Sequence, residues 1–196
     1  SANSVVNNSN NNATNAAGVV ALAGELGFDP FRAAAGVAAF TGTGRRFEHR
    51  GVAKGVSFID DYAHHPTEVA ATLAAASGWE GGRVVAVFQP HLYSRTQRLA
   101  DRFGAALAVA DVVVVTDVFA AREDPIEGVD GTLISAAARR HGATDVVDAP
   151  DRSTLVEVVA ALIRPGDLVL TMGAGDVTAV AEELGAVLPG AVIETP

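Results

Sequence analysis

Imidazole, carboxylate and guanidinium groups are concentrated in four short segments of the chain, and each segment directly follows an apolar run. The segments are residues 60–66 (DDYAHHP), 89–95 (QPHLYSR), 116–124 (TDVFAARED) and 172–176 (MGAGD). Short apolar runs indicate buried strands, and polar groups beyond the carboxyl ends of parallel strands line the ligand crevice of open α/β sheets. The pattern therefore predicts a site built from strand-end loops, with ordinary solvated loops as the alternative.

Several of these side chains suit proton transfer or anion binding. His64 or His91 could act as a general acid or base, or contact a substrate. Arg95 stands at a predicted helix start, where it could bind a carboxylate or phosphate through two parallel hydrogen bonds; a surface ion pair is the alternative. Asp60 and Asp61 could bind a hard cation or a ribose hydroxyl, or could be solvated or cap the next helix.

Other chemistries are disfavoured by spacing. His64, His65 and His91 do not have the spacing of zinc ligands, so we predict no metal site. The turn at residues 173–175 (GAG) lacks the third glycine of a dinucleotide fingerprint, and a tight strand-to-helix turn is the alternative. The sequence contains no G-x-x-x-x-G-K-[ST] phosphate loop, so the chain by itself has no evident means of holding a nucleoside triphosphate.

Composition narrows the class of protein. The net charge of −9 argues against a nucleic-acid partner, because phosphate contacts need clustered Lys and Arg. There are no cysteines, which excludes disulfides and fits a reducing compartment. No apolar run is long enough to span a membrane, and residues 1–15 lack the basic start of a secretory signal. We expect an acidic, cytoplasmic α/β protein.

The elements that must position these groups follow from the remaining pattern. Residues 1–15 include seven asparagines and predict a loose segment. Residues 16–44 predict two short helices, and glycines before Arg45 mark a domain boundary. Residues 45–196 alternate apolar strands with helices, which predicts a Rossmann-like, doubly wound, mostly parallel sheet. The predicted strands are 55–59, 83–88, 111–116, 145–148, 167–171 and 192–195; the predicted helices are 67–76, 96–110, 133–140, 153–163 and one ending near residue 184.

Five segments in order resemble one enzyme family. They are residues 44–51 (GRRFEHRG), 60–76 (DDYAHHPTEVAATLAAA), 88–96 (FQPHLYSRT), 115–131 (VTDVFAAREDPIEGVDG) and 171–177 (TMGAGDV). From about residue 11 onward the chain resembles the Mur ligases that attach the first amino acid to UDP-N-acetylmuramate. The ligase that recycles a murein tripeptide also carries a His-His-Pro motif, but Phe usually replaces Tyr62 there, so the resemblance favours the alanine-adding branch.

The resemblance implies a three-domain enzyme of peptidoglycan precursor synthesis, with a UDP-sugar domain, a central P-loop ATPase and a C-terminal Rossmann-like domain. With ATP and Mg²⁺ such an enzyme phosphorylates the muramic carboxylate, and the amine of L-alanine attacks the acyl phosphate. Residues 16–44 would then be a helical remnant of the central domain, and residues 45–196 the C-terminal domain. We expect the chain alone to be inactive, because the P-loop, the magnesium-binding residues and the UDP-sugar domain lie elsewhere.

The resemblance also implies residue roles on the nucleotide side. Asn12 and Asn15 would approach the adenine, with Asn11 where the family has a histidine. Arg46 would contact the ATP phosphates and Asp61 the ribose.

On the amino-acid side, Tyr62, His64, His91 and Arg95 would line the cleft for L-alanine, and the last three would be catalytic. Arg95 suits the alanine carboxylate, and an imidazole nearby could accept a proton from the attacking amine. Many family members have Arg at the position of Leu92, so one substrate cation is absent here.

Two other functions remain as alternatives. One is a non-catalytic nucleotide- or amino-acid-binding module derived from such a ligase. The other is a Rossmann-type oxidoreductase, which is disfavoured because no acidic residue ends a following strand about 20 residues beyond the glycine turn.

Overall fold

A computed structural model describes residues 9–39 and 44–188, with the backbone alone for residues 9–14. The chain divides into two compact units, residues 1–44 and 45–196, and each is described by itself. The division falls at the same position as the predicted domain boundary.

The first unit contains two helices, α1 (Ser9–Glu25) and α2 (Pro30–Ala38). Gly27, with a φ of 82°, follows α1 in the left-handed conformation that commonly terminates helices. The carboxylate of Asp29 then caps α2 by accepting from the backbone N–H of Phe31 at 2.9 Å. Both helices of this unit had been predicted.

The loose segment predicted for residues 1–15 was wrong for residues 9–15, which form the first turns of α1. Asn and Ser oppose helix formation in a helix interior, but they are favourable near a helix N-terminus. The Ala-rich stretch that follows lets the helix propagate once it has formed. Residues 1–8 lie outside the described part of the chain.

The second unit is built on a six-stranded mixed sheet. The strands are β1 (Glu48–Ala53), β2 (Val56–Asp61), β3 (Val84–Phe88), β4 (Val112–Thr116), β5 (Val146–Ala149) and β6 (Leu168–Met172). Their order in the sheet is β1-β2-β6-β3-β4-β5; β1 is antiparallel to β2, and the other neighbours are parallel. The predicted mostly parallel, Rossmann-like α/β sheet is confirmed.

Helices cover both faces of this sheet. One face packs against α3 (Pro66–Ala76), α4 (Tyr93–Leu107) and α5 (Thr132–Arg140), and the other against α6 (Leu155–Leu162) and α7 (Val180–Val187). Central strands are buried on both sides because alternate residues enter the two cores: Phe88 packs with Phe103 on the first face, and Val87 lies in the second core. Within the described residues, no helix is long and apolar enough to cross a membrane.

Strand β1 was not predicted. It joins β2 through Lys54 and Gly55, whose φ values of 50° and 76° have the sign that a type I′ hairpin turn requires. The polar start of β1 hid an edge strand, which needs only one buried face. The strand predicted at residues 192–195 lies outside the described part of the chain.

Strand β6 is inserted between β2 and β3. Leu170 of β6 is paired with Ile59 on one side and with Ala86 on the other. The carboxyl ends of β2, β6, β3 and β4 are therefore neighbours along one edge, which brings together the four polar segments identified in the sequence.

Candidate active site

The loop from β2 to α3 separates its two adjacent histidines. His65 is the N-cap of α3, and its Nδ1 accepts from the backbone N–H of Thr67 at 3.3 Å. The carboxylate of Glu68 completes the cap by accepting from the N–H groups of His64 and His65 at 3.0 and 3.1 Å. His65 thus serves the helix start, and His64 is left on the site side of the loop.

The four residues predicted for the amino-acid side are brought together. The His64 ring lies 5.0 Å from the Tyr62 ring and 6.0 Å from the His91 ring, centroid to centroid, both edge to face. Arg95 donates from Nη1 to the carbonyl oxygen of His64 at 3.2 Å. Two imidazoles, a phenol and a guanidinium from two segments of the chain, residues 60–66 and 89–95, therefore form one cluster.

His91 is held by the loop that follows β4. Phe119 and His91 form a parallel bridge, in which Phe119 N donates to Pro90 O at 2.8 Å and Leu92 N donates to Phe119 O at 3.0 Å. The two rings lie nearly parallel, with an angle of 13° and 5.8 Å between centroids. Phe119 was not identified in the sequence; its signal was that it is the aromatic residue of the strand-end segment at residues 116–124.

The surroundings of His91 oppose its protonation. Burial lowers the pKa of His91 below its ordinary value of 6.5, and the charges of Arg95 and His64 lower it further, while Glu123 acts in the opposite direction. Its Nδ1 is buried without a hydrogen-bond partner among the described residues. The imidazole is therefore neutral near pH 7.

Helix α4 begins against a fixed carboxylate. Glu123 accepts from the backbone N–H of Ser94 at 2.8 Å and from its hydroxyl at 2.5 Å. These hydrogen bonds lower the pKa of Glu123, so it is ionised beside the cluster. Leu92, just before α4, has a φ of 73°, which is a strained conformation for a residue other than glycine.

A buried ion pair lies next to this cluster. Asp60 is completely buried, and its carboxylate accepts from Arg45 Nε and from the hydroxyls of Thr171 and Thr178, each at 2.8 Å. The sequence left four interpretations open for the Asp60–Asp61 pair: a hard cation, a ribose hydroxyl, a solvated pair or a helix cap. Asp60 is neither solvated nor a helix cap. The carboxylate instead joins the ends of β2 and β6.

Arg45 extends the same arrangement toward the surface. Its Nη2 donates to the carbonyl oxygen of Gly173 at 2.6 Å, and its guanidinium carbon lies 5.0 Å from the centroid of the Tyr62 ring. Sequence reasoning had chosen Arg46 of the Arg45-Arg46 pair and missed Arg45. The left-handed conformation of Arg45, with a φ of 59°, turns its side chain inward and cannot be recognised from residue type.

Asp61 and Arg46 were both predicted on the nucleotide side, but they differ in exposure to solvent. Asp61 is 3% exposed, and its carboxylate accepts from the N–H groups of Phe47 and Ala63 at 2.9 and 2.8 Å. Burial raises the pKa of Asp61, although these hydrogen bonds and the charge of Arg46 oppose the rise. Arg46 is exposed. Contact between Asp61 and a ribose would therefore require movement of the segment that includes Phe47.

The glycine turn after β6 is tightly packed. The side chain of Gln89 spans it, donating from Nε2 to Asp176 at 2.6 Å and accepting from the N–H of Val177 at 3.2 Å. A Cβ on Gly173 would lie 2.8 Å from the carbonyl oxygen of Gln89, and one on Gly175 would lie 2.7 Å from the ring of Phe119. The turn is thus the tight strand-to-helix connection considered above.

The remaining predicted residues and the cavity lie away from this cluster or outside the second unit. Asn12 and Asn15 lie in α1 of the first unit, and Asn15 is exposed. Among the described residues, no group of three or more His, Cys, Asp or Glu side chains could hold a metal ion. A cavity of about 310 Å³ lies between α3 and α4, but apolar residues such as Leu73 and Val109 line it, away from the titratable cluster.

Comparison with known proteins adds independent information. Residues 45–175 match the family described as Mur ligase, glutamate ligase domain. The chain is 52% identical over 176 residues to the UDP-N-acetylmuramate–L-alanine ligase of Thermobifida fusca strain YX, covering 85% of this chain and 37% of that protein. It therefore spans little more than a third of the length of this relative.

Solved structures agree with this comparison. The crystal structure of UDP-N-acetylmuramate–alanine ligase from Thermotoga maritima superposes with a TM-score of 0.68 at 28% identity, covering 89% of this chain and 37% of that one. A murein peptide ligase from Psychrobacter arcticus 273-4 gives a TM-score of 0.70 at 22% identity, covering 88% and 36%. The second similarity concerns the fold alone.

Proposed function

This chain belongs to the Mur ligases, and we propose that it is the C-terminal part of an ATP-dependent ligase that joins L-alanine to UDP-N-acetylmuramate. In this proposal residues 45–196 supply contacts to the amino acid and to ATP. The UDP-sugar domain and the P-loop ATPase domain belong to the rest of the enzyme. The observation that carries the proposal is the convergence of Tyr62, His64, His91 and Arg95 on one edge of the sheet.

The amino-acid side of the site rests on Arg95. Within residues 44–188 its guanidinium makes one hydrogen bond, to the carbonyl oxygen of His64, and this leaves further N–H groups of the fork for a carboxylate. A carboxylate bound there brings the α-amine of the same amino acid close to the imidazoles. His64 or His91 can then accept the proton that the amine loses as it attacks the activated muramic carboxyl.

The nucleotide side is shared with the rest of the enzyme. Arg46 is exposed and can reach phosphates, and Asn12 and Asn15 are proposed to approach the adenine. Asp61 is proposed as the ribose contact only if its loop opens, because its carboxylate is buried. ATP supplies the phosphoryl group that activates the muramic carboxylate. Mg²⁺ would be held mainly by the central domain, since the described residues of this chain do not fit a metal site.

Helices α1 and α2 are proposed to belong to the central ATPase domain. Several large apolar side chains on this unit are exposed, between 54% and 85%: Val19, Leu22, Leu26, Phe28 and Phe31. Several large apolar side chains exposed on one small unit are typical of a surface that another part of a protein covers. The proposed occupant is the remainder of that ATPase domain.

The experiment is ligase reconstitution. The C-terminal part of the Thermobifida fusca relative is replaced by this chain, and ADP release is measured with ATP, Mg²⁺, UDP-N-acetylmuramate and L-alanine. The chimera should release ADP in an L-alanine-dependent manner, and this chain alone should not. Arg95→Met should raise the KM for L-alanine at least tenfold, because it removes the proposed carboxylate ligand.

Two outcomes would contradict the proposal. A folded chimera without L-alanine-dependent ADP release, beside an active unmodified relative, would favour a non-catalytic binding module. Release that depends on a murein tripeptide and not on L-alanine would assign the chain to the recycling ligases.

A further inference from the structure

The two imidazoles of the site have different hydrogen-bonding environments. Nδ1 of His64 lies 2.8 Å from the carbonyl oxygen of Tyr62 and 3.4 Å from Oε2 of Glu68. Nδ1 of His91 is buried without a partner among the described residues. One ring therefore has acceptors at Nδ1, and the other has none.

We propose that His64 is the proton acceptor of the reaction, through Nε2, and that Glu68 is the residue that positions it. The inference rests on the ligase function proposed above and assigns a role that the proposal left open between two histidines. It also adds Glu68, which has no assigned part in the site.

The contact with Tyr62 fixes the tautomer of His64. A carbonyl oxygen only accepts hydrogen bonds, so the 2.8 Å contact with Tyr62 requires the proton on Nδ1. In the neutral ring Nε2 then carries the lone pair. Within residues 44–188, Nε2 of His64 has no hydrogen-bond partner, so the lone pair is free to accept a proton. The hydrogen bond at one ring nitrogen thus selects the other as the base.

Glu68 contacts both the backbone and the ring of His64. Its Oε2 accepts from the backbone N–H groups of His64 and His65, which fixes the loop, and it also lies within ion-pair distance of Nδ1. When Nε2 takes up a proton, the imidazolium forms next to this carboxylate. The resulting arrangement of carboxylate, imidazole and substrate amine is the one by which acyl-transfer enzymes orient and stabilise a catalytic histidine.

His91 cannot serve as the proton acceptor. An imidazolium must donate from both nitrogens, and Nδ1–H of His91 would be buried without an acceptor. His91 stacks on Phe119 and remains neutral, so it can donate or accept one hydrogen bond to the substrate.

The chemistry balances with these assignments. The amine nitrogen of L-alanine forms a C–N bond to the muramic carboxyl carbon that ATP has phosphorylated. The C–O bond to phosphate breaks, and the phosphate leaves with the electron pair. The surplus N–H proton moves to Nε2 of His64, and solvent later removes it.

The first test needs no enzymatic activity. Long-range ¹H–¹⁵N correlation spectra of the ¹⁵N-labelled chain, with His64→Gln for assignment, report which ring nitrogen is protonated. We expect His64 to be protonated at Nδ1 and the exposed His49 to show the Nε2–H form that unconstrained imidazoles prefer. In Glu68→Ala the Nδ1–H fraction of His64 should fall. An Nε2–H form of His64 in the wild-type chain would overturn the assignment, and an unchanged tautomer in Glu68→Ala would overturn the positioning role.

The second test uses the chimeric ligase. Glu68→Gln keeps an acceptor for the capping N–H groups but removes the charge, so we expect kcat to fall about tenfold with the KM for L-alanine unchanged. Asp130→Asn is the matched control, because Asp130 accepts from Thr132 N at 2.8 Å at the start of α5 and has no hydrogen bond or ion pair with a histidine among the described residues. Equal kcat values for the two variants would overturn the inference. An inactive unmutated chimera would contradict the proposed function and with it the role of His64 as proton acceptor, whereas the tautomer measurement tests the positioning of His64 by Glu68 separately.

Discussion

Replacement of Arg45 by Met should destabilise the second unit, because it leaves the carboxylate of Asp60 buried without its ion-pair partner. Asp60 has no exposed surface, and Arg45 Nε lies 2.8 Å from it. The same substitution removes the donor to the Gly173 carbonyl and the cation above the Tyr62 ring. Each of these losses lowers the free energy of unfolding of the second unit.

The magnitude follows from burial. Breaking a fully buried ion pair costs about 3–5 kcal/mol. The Arg45 side chain is 23% exposed, so water can partly solvate the carboxylate in its place, and the hydroxyls of Thr171 and Thr178 still donate to it. We therefore expect a loss of about 2–3 kcal/mol in the free energy of unfolding, or about 5–10 °C in Tm for a unit of this size.

The assay is urea unfolding followed by tryptophan fluorescence. Trp79 is the only tryptophan of the chain, and its indole N–H donates to Gly166 at the end of the sheet opposite the site. It therefore reports unfolding of the whole unit. Arg50→Met is the matched control, since Arg50 pairs with Glu48 at 3.1 Å with both side chains about one-third exposed. Such a pair contributes less than about 1 kcal/mol.

Equal unfolding free energies for Arg45→Met and Arg50→Met would show that the buried ion pair contributes no more than the exposed one. A double variant offers a second check. Arg45→Met combined with Asp60→Asn should be less destabilised than the sum of the two single variants, because no buried charge remains. Strict additivity would mean that the pair is not coupled.

Three further predictions concern other parts of the second unit. Burial opposes ionisation of Asp167, but hydrogen bonds and charge from Arg83 outweigh it and hold the pKa of Asp167 below 3.8. The stabilisation that the ionised Asp167 provides is present above pH 3.8 and is lost as pH falls through the lowered pKa. In urea unfolding at pH 7, Asp167→Asn should be about 2 kcal/mol less stable than wild type. This difference should shrink below pH 3.8. Gly175→Ala should lower Tm, because the new Cβ would lie only 2.7 Å from the Phe119 ring. An unchanged Tm would show that the turn can move to accommodate a Cβ without loss of stability. An NMR titration should place the pKa of His91 below 6.5, and Phe119→Ala should raise it toward that value by exposing the ring; no change would exclude burial by Phe119 as the cause.

Much of the fold was predictable because the strands of a doubly wound sheet are short apolar runs bounded by polar or glycine residues. The strand at Val112–Thr116 is a clear case, since all of its residues are buried. The order of the strands was not predictable in the same way. The insertion of β6 between β2 and β3 depends on pairing between residues more than 80 positions apart, and no local pattern encodes it.

For the site, residue type was informative and backbone conformation was not. His64, His91 and Arg95 were predicted together because each follows a strand, and the structure brings them together. Arg45 was missed because its role depends on a positive φ that is rare for arginine. Glu68 was missed because a carboxylate three residues into a helix normally indicates a capping box, and here it also faces an imidazole.

The central position of β6 has a consequence for biosynthesis. A ribosome releases β2 and β3 long before β6, yet these two strands have no hydrogen bonds to each other and wait for the segment that separates them. Until Met172 has left the exit tunnel, each of them presents an unpaired edge to solvent. Closure of the sheet and assembly of the cluster beyond it should then occur together. A nascent chain arrested before Met172 has emerged should therefore remain sensitive to protease, and a chain released after that point should not.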